Sequence, residues 1–200
     1  MTNKSSRSVT RSSCRGFTLV ELMVTIVVVA ILSALALPNF RDFISRSAVT
    51  SETNSLLGDI QYARNEAVSR RIRTVFCASL DGTSCTTGTR FDGGWIVYHE
   101  TNPGPTASLD ANDEVLRVGQ SVSNVSIHSS VASGTAPAKI EFDQQGAVDS
   151  GSSVDFLLCA RPSGSTDAGQ STSRVLGSRL SISASGRPAA KTMDAGAACS

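Results

Sequence analysis

Residues 17–37 read FTLVELMVTIVVVAILSALAL, and 17 of these 21 residues are apolar. The exceptions are Thr18, Glu21, Thr25 and Ser33. As a helix this run is about 31 Å long, close to one bilayer core. It is apolar on every side, which excludes the one-faced helix of an ordinary soluble domain. A secretory signal peptide needs a shorter apolar core followed at once by a small-residue cleavage site. Here the next residues are Pro38-Asn39-Phe40-Arg41. A plain single-pass anchor fits the length but leaves Glu21 unexplained. A carboxylate inside such a span costs about 2.5–3.5 kcal/mol on insertion scales and by default marks function.

Glu21 stands four residues after Phe17, and the residues before Phe17 are basic. Residues 1–16 carry Lys4, Arg7, Arg11 and Arg15 with no acid. If the chain is cut between Gly16 and Phe17, a new α-amine arises one helical turn from the Glu21 carboxylate, or near that of a neighbouring chain. The two charges then neutralise each other in an apolar setting, and the helix becomes inexpensive to insert.

A basic leader ending in Gly16, then Phe17-Thr18-Leu19-Val20-Glu21-Leu22, then an apolar helix closing on Ala36-Leu37-Pro38-Asn39-Phe40, resembles a type IV pilin or a type II secretion pseudopilin. The resemblance implies cleavage after Gly16 by a prepilin peptidase on the cytoplasmic side and N-methylation of Phe17. It also implies that Glu21 is needed for assembly.

From residue 41 the composition turns amphipathic. Val49, Leu56, Ile60, Ala63 and Ala67 recur at helical spacing and predict a stripe facing a core. Glu66 and Arg70 form an i,i+4 pair expected on the wet side, and the arginines of residues 59–71 read as a solvated face. The helix is expected to continue past Pro38, with a kink, to residue 73. Short β-like runs follow at residues 74–80, 95–100, 114–118, 122–129, 139–143, 154–160 and 174–184. Turn chemistry separates them at Asp81-Gly82, Asp92-Gly93-Gly94, residues 102–105, Gly134, Gln145-Gly146, residues 162–169 and Gly186-Arg187-Pro188. The expected fold is α+β: a long N-terminal helix, hydrophobic in its first half, packed against an antiparallel β-sandwich-like head. The expected divisions are a removed leader (1–16), a transmembrane and filament-core helix (17–40), its amphipathic continuation (41–73) and a β-rich periplasmic or extracellular head (74–200).

The later motifs narrow the resemblance. Tyr62-Ala63-Arg64-Asn65-Glu66-Ala67-Val68, Gly94-Trp95-Ile96-Val97, residues 142–146, Cys159, Ser185-Gly186-Arg187 and Cys199 look like the GspH/FimT/FimU group of minor pilins. Some FimT-like members bind DNA through a C-terminal Gly-Arg-x-Arg element. This chain reads Gly186-Arg187-Pro188-Ala189-Ala190-Lys191: the first arginine matches, the second is absent, and Lys191 comes two positions late.

Cys14 leaves with the leader, so four of the five cysteines remain. An even number in an exported domain reads as disulfides, and four cysteines allow three connectivities. Cys77 and Cys85 flank a turn-rich loop and are best paired locally. Cys159 and Cys199 then staple the C-terminal tail to a central strand, as in the FimU-like members that the chain resembles.

Charge and motif content bear on the remaining roles. The formal net charge is +1, with Lys and Arg totalling 18 against 17 acids. This excludes a uniformly basic nucleic-acid binder but not a local patch. Between Cys159 and Cys199 stand Arg161, Arg174, Arg179, Arg187 and Lys191 against Asp167 and Asp194. If residues 174–184 form the last strand, Arg179 and Arg187 share its wet face, at most about 26 Å apart. Arg174, Arg179, Arg187 and Lys191 are therefore the candidate DNA contacts; the alternative is a solvated strand face that blunts an edge. His99 and His128 are the only histidines, and no zinc spacing, GxSxG, P-loop or paired-His motif occurs. No enzyme, metal or cofactor is expected. The expected function is a minor pilin of the type IV pilus with its head at or near the filament tip; the alternative is a GspH-like minor pseudopilin of type II secretion. The expected partners are the prepilin peptidase, other minor and major pilins or pseudopilins, the inner membrane and DNA. The expected location is the inner membrane, single-pass with the head in the periplasm, and then the pilus or pseudopilus.

Overall fold

The computed structural model describes residues 16–102, 109, 110, 112–131, 135–162 and 164–200. Residues 1–15 of the expected leader (1–16), Cys14 among them, lie outside the described residues, as do the expected turn positions 103–105 and Gly134. The chain divides into two compact units, Met1–Phe40 and Arg41–Ser200. The one helix among the described residues, α1 (Leu19–Arg70), contributes to both.

In the first unit α1 begins at a cap. Thr18 Oγ1 accepts the Glu21 backbone N–H at 3.2 Å, and the Leu22 N–H makes the first helical bond to the Thr18 carbonyl. An N-cap threonine thereby satisfies one of the four backbone donors that every helix start leaves free.

In the second unit α1 ends three residues before the expected position. Arg71 adopts the left-handed conformation (φ 54°), and this residue closes the helix as a C′ position. Among the described residues eight strands follow: β1 (Thr74–Ala78), β2 (Trp95–His99), β3 (Glu114–Gly119), β4 (Val125–Ser130), β5 (Lys139–Phe142), β6 (Val154–Ala160), β7 (Ser178–Ile182) and β8 (Pro188–Thr192). They form two four-stranded antiparallel sheets, ordered β3-β2-β1-β5 and β4-β6-β7-β8. The α+β architecture is thus the expected one.

The chain after Arg174 differs from the reading of one strand over 174–184. Thr172 folds back on Val175 in a local turn, β7 starts only at Ser178, and it stops at Ile182. A turn through Gly186 (φ 74°) then sends β8 back along β7. Arg187 therefore does not share a strand face with Arg179. Proline read as punctuation, yet Pro188 opens β8. The bonds Ser183 N–H to Arg187 and Met193 N–H to Gly177 put the odd-numbered residues of β8 in the ladder. Pro188 faces away, where no donor is required.

The core lies between α1 and both sheets. Val49, Leu56, Ile60, Ala63 and Ala67, the stripe read from spacing, are all buried. They meet Phe76, Trp95 and Val97 of one sheet and Phe156, Leu158, Leu180 and Ile182 of the other. Phe156 joins the sheets, with its ring edge-on to Phe91 (4.9 Å) and Phe76 (6.0 Å). Each outer sheet face carries its own small apolar cluster, and each has a disulfide in it. Cys77 is joined to Cys85 beside Val75, Ile96 and Tyr98. Cys159 is joined to Cys199 beside Leu157 and Met193. The bonds hold loop residue Cys85 and the C-terminal tail over surfaces that would otherwise meet water.

Candidate functional site

Two regions hold the residues singled out by the sequence: the start of α1 and the C-terminal hairpin of the second unit.

At the helix start Phe17 is 82% exposed, and the large apolar side chains from Leu19 to Leu32 are exposed as well. The four polar residues of this run behave differently from one another. Thr18 caps the helix. Thr25 Oγ1 donates to the Leu22 carbonyl (2.8 Å) and Ser33 Oγ to the Val29 carbonyl (2.7 Å). These hydroxyls carry their own hydrogen bonds into an apolar setting. Only the Glu21 carboxylate has no hydrogen-bond or ion-pair partner among the described residues. Thr18 and Glu21 also occupy the Ncap and N3 positions of a capping box, with Phe17 and Leu22 at the flanking apolar positions. The capping role of Thr18 was missed from sequence, although the Thr-x-x-Glu signature before an apolar run was there to find it. Among the described residues no helix is long and apolar enough to cross a membrane. The side chains of residues 35–39 fall outside the description.

In the second unit three of the sequence motifs meet at one point. Arg64 Nε donates to the Gly146 carbonyl at 2.9 Å. A Cβ at Gly186 would collide with that same carbonyl oxygen and stand 3.1 Å from Arg64 Nε. A Cβ at Gly146 (φ 78°) would stand 2.7 Å from Val68 Cγ2. The reading of the helix arginines as a solvated face is therefore corrected at Arg64, which ties α1 to a turn carbonyl. Arg70 reaches Glu66 at 2.7 Å, but Glu66 is half-buried and 3.6 Å from His99 Nε2, so the pair is not wholly on the wet side. The Gly94-Trp95 motif is also tied to α1. Trp95 Nε1 donates to Asp59 at 2.8 Å, and Arg117 Nη1, lying over the Tyr62 ring, meets the other Asp59 oxygen at 2.5 Å.

The four candidate DNA-contacting residues do not form one cluster. Arg179 and Lys191 are directly opposite on β7 and β8, and Arg179 is 3.3 Å from Asp155. Arg174 stands 3.7 Å from Asp42, and its carbonyl accepts from Arg46 Nε. Arg187 sits at the hairpin turn, where its N–H donates to Ser183 Oγ. Its guanidinium and the Lys191 ammonium are exposed, with no ion-pair partner among the described residues. Both histidines are neutral-favouring. Burial pushes His99 down, as does Arg70, against an upward pull from Glu66 and Glu114. Burial likewise lowers His128. Among the described residues no group of three or more His, Cys, Asp or Glu side chains is placed to hold a metal.

A family model described as "Type II transport protein GspH" matches residues 52–186, and one described as "Prokaryotic N-terminal methylation motif" matches residues 11–37. The type IV major alpha-pilin of Moraxella bovis is 48% identical over 42 residues, 21% of this chain and 26% of that protein. The chain thus spans about a quarter to a third of the length of the curated relatives it matches. The crystal structure of the type IV minor pilin FimU of Pseudomonas aeruginosa aligns with TM-score 0.50 and 23% identity, over 73% of this chain and 98% of that one. The minor pseudopilin EpsH from the Type 2 Secretion System of Vibrio cholerae aligns with TM-score 0.42 and 9% identity, over 72% and 95%.

Proposed function

This chain belongs to the GspH family, and from that premise we propose that it is a minor pilin of a type IV pilus that enters the filament through residues 17–40 and presents residues 74–200 as its head, at or near the tip. The observation that carries the proposal is the Glu21 carboxylate, the one polar side chain of the apolar run left without a partner among the described residues. Cleavage after Gly16 by a prepilin peptidase supplies the amine of Phe17. That amine, from the incoming subunit or a neighbour, answers the carboxylate and removes the cost of carrying it in an apolar environment. The 17 apolar residues among residues 17–37 support insertion in the inner membrane as a single pass, with the head in the periplasm before assembly. The role is structural rather than enzymatic.

Membership of the pilus rather than of a type II secretion pseudopilus is supported by the pattern Ser183-Ala184-Ser185-Gly186-Arg187 and by the tail cysteine Cys199. The N-terminal likeness to a type IV major pilin agrees with it. The test is Glu21→Ala in cells that make the filament. The variant should insert in the membrane as well as the wild type does and be missing from sheared filaments. Wild-type amounts in the filament would overturn the proposal.

DNA is a second candidate partner, favoured by Arg187 and Lys191, exposed and without an ion-pair partner among the described residues. Such contacts would be to phosphate and independent of sequence. Titration of full-length protein with duplex DNA at about 50 mM salt tests this reading, because binding through a few phosphates is strongest at low salt. No shift at hundreds of micromolar protein would remove it.

A further inference from the structure

The C-terminal hairpin leaves one sheet edge open beside a cleft. β8 pairs with β7 on one side and, among the described residues, with no strand on the other. The ladder uses the backbone groups of Arg187, Ala189, Lys191 and Met193. The N–H and C=O of Ala190 and of Thr192, and the C=O of Pro188, therefore point away from the sheet. The side chains of Ala190 and Thr192 share the face of Leu180 and Ser178, the face on which α1 packs, yet both residues are exposed. Between them and α1 lies a cleft of about 460 Å³, a size typical of binding clefts.

The lining of this cleft is specific in charge. Arg46 and Arg174 contribute to it, Lys191 borders it from the strand edge with its side chain on the opposite face from Ala190 and Thr192, and no acidic side chain lines it. Asp42, 3.7 Å from Arg174, lies outside the lining. Val49 and Leu176 supply apolar surface.

We propose that this edge and cleft receive an extended acidic segment of a partner polypeptide, which adds a strand beside β8. The chemistry favours a peptide over a nucleic acid. The free edge alternates donors with acceptors, and a peptide backbone answers both. A phosphate only accepts, so it would leave the carbonyls of Pro188, Ala190 and Thr192 unmet. In an added strand, alternate side chains enter the cleft. Acidic side chains there meet Arg46 and Arg174, while the intervening ones pass over the outer face near Lys191.

The experiment uses the full-length chain in detergent micelles and a phage-displayed library of random 12-residue peptides. The recovered peptides should be rich in β-formers with Glu or Asp at alternating positions. Synthetic copies should lose at least tenfold in affinity to Ala190→Pro. That substitution removes an outward donor and places a ring on the edge without touching the β7 ladder. Arg174→Gln should weaken binding severalfold and steepen the preference for uncharged peptides. Retained thermal unfolding and both disulfides would show that each variant is folded. In amide exchange, Ala190 and Thr192 should become protected on binding, while Ala189 and Lys191 are protected throughout. Recovery of no peptide, peptides without acids, equal binding to Ala190→Pro, or displacement by a 20-base-pair duplex at equimolar concentration would each overturn the proposal.

Discussion

The Gly186 Cα faces the Gly146 carbonyl oxygen so closely that a side chain at residue 186 would collide with it. The same carbonyl accepts Arg64 Nε from α1. The turn between β7 and β8, the turn after β5 and the helix are thus fixed to one backbone atom. The glycine of the Gly186-Arg187 pair has a structural duty, independent of whatever Arg187 contacts.

Gly186→Ala should destabilise the protein by about 2–4 kcal/mol, from the left-handed backbone and the overlap together. Gly151→Ala is the control. Gly151 is also left-handed (φ 64°), but a Cβ there meets nothing. Its cost should be about 1 kcal/mol. Urea unfolding of the two variants measures the difference; equal losses would show that the contact with Gly146 is unimportant.

Asp59 is buried and serves two donors, Trp95 Nε1 and Arg117 Nη1. Asp59→Leu leaves both unmet and should cost about 1–3 kcal/mol for the indole alone. Asp59→Asn keeps an acceptor for Trp95 and should cost less. The near-ultraviolet signal of Trp95, the one tryptophan, reports whether its setting survives.

The two disulfides close loops of different length, with separations of 8 and 40 residues. In the loop-entropy account, replacing Cys159 and Cys199 by serine should cost about 4 kcal/mol, and replacing Cys77 and Cys85 about 2.5 kcal/mol. Chemical unfolding of the two double variants gives the order. The reverse order would mean that loop length does not govern it.

Burial holds His99 and His128 below the usual histidine value. The unfolded chain therefore takes up protons first as pH falls. The contribution of both groups is complete above about pH 6.5 and declines below it, down to their folded values. Burial raises Glu52 and Glu100, and these act with the opposite sign above the ordinary carboxylate range. The histidine share is isolated by comparison: a His99→Gln, His128→Gln variant should lose less stability than the wild type between about pH 7 and about pH 5. Parallel urea titrations would show it, and identical slopes would contradict it.

If the proposed processing occurs, the mature chain begins at Phe17 and is one methyl group heavier than its sequence. Intact mass of the membrane-extracted protein decides this. A mature N-terminus beyond residue 37 would sink the filament role.

The sequence by itself determined the elements whose signals are local. The apolar run with its lone carboxylate, the stripe from Val49 to Ala67 and the alternation of β-formers with turn residues are set by spacing along the chain. In α1 burial then follows the helical period. The family likeness was legible for the same reason, since its motifs are contiguous. Tertiary structure decided what depends on residues far apart in sequence. Arg64 reads as a surface arginine until the Gly146 carbonyl arrives 82 positions later. Asp59 reads as a polar helix residue until Trp95 is laid against it. The strand expected over 174–184 became the hairpin of β7 and β8, because pairing with β7 gives Pro188 a place where its missing donor is not needed. Arg179 and Lys191 became neighbours through that register, and Arg187 was left at the turn. A backbone group finds its partner only when the chain has folded back, and spacing along one segment carries no information about that partner.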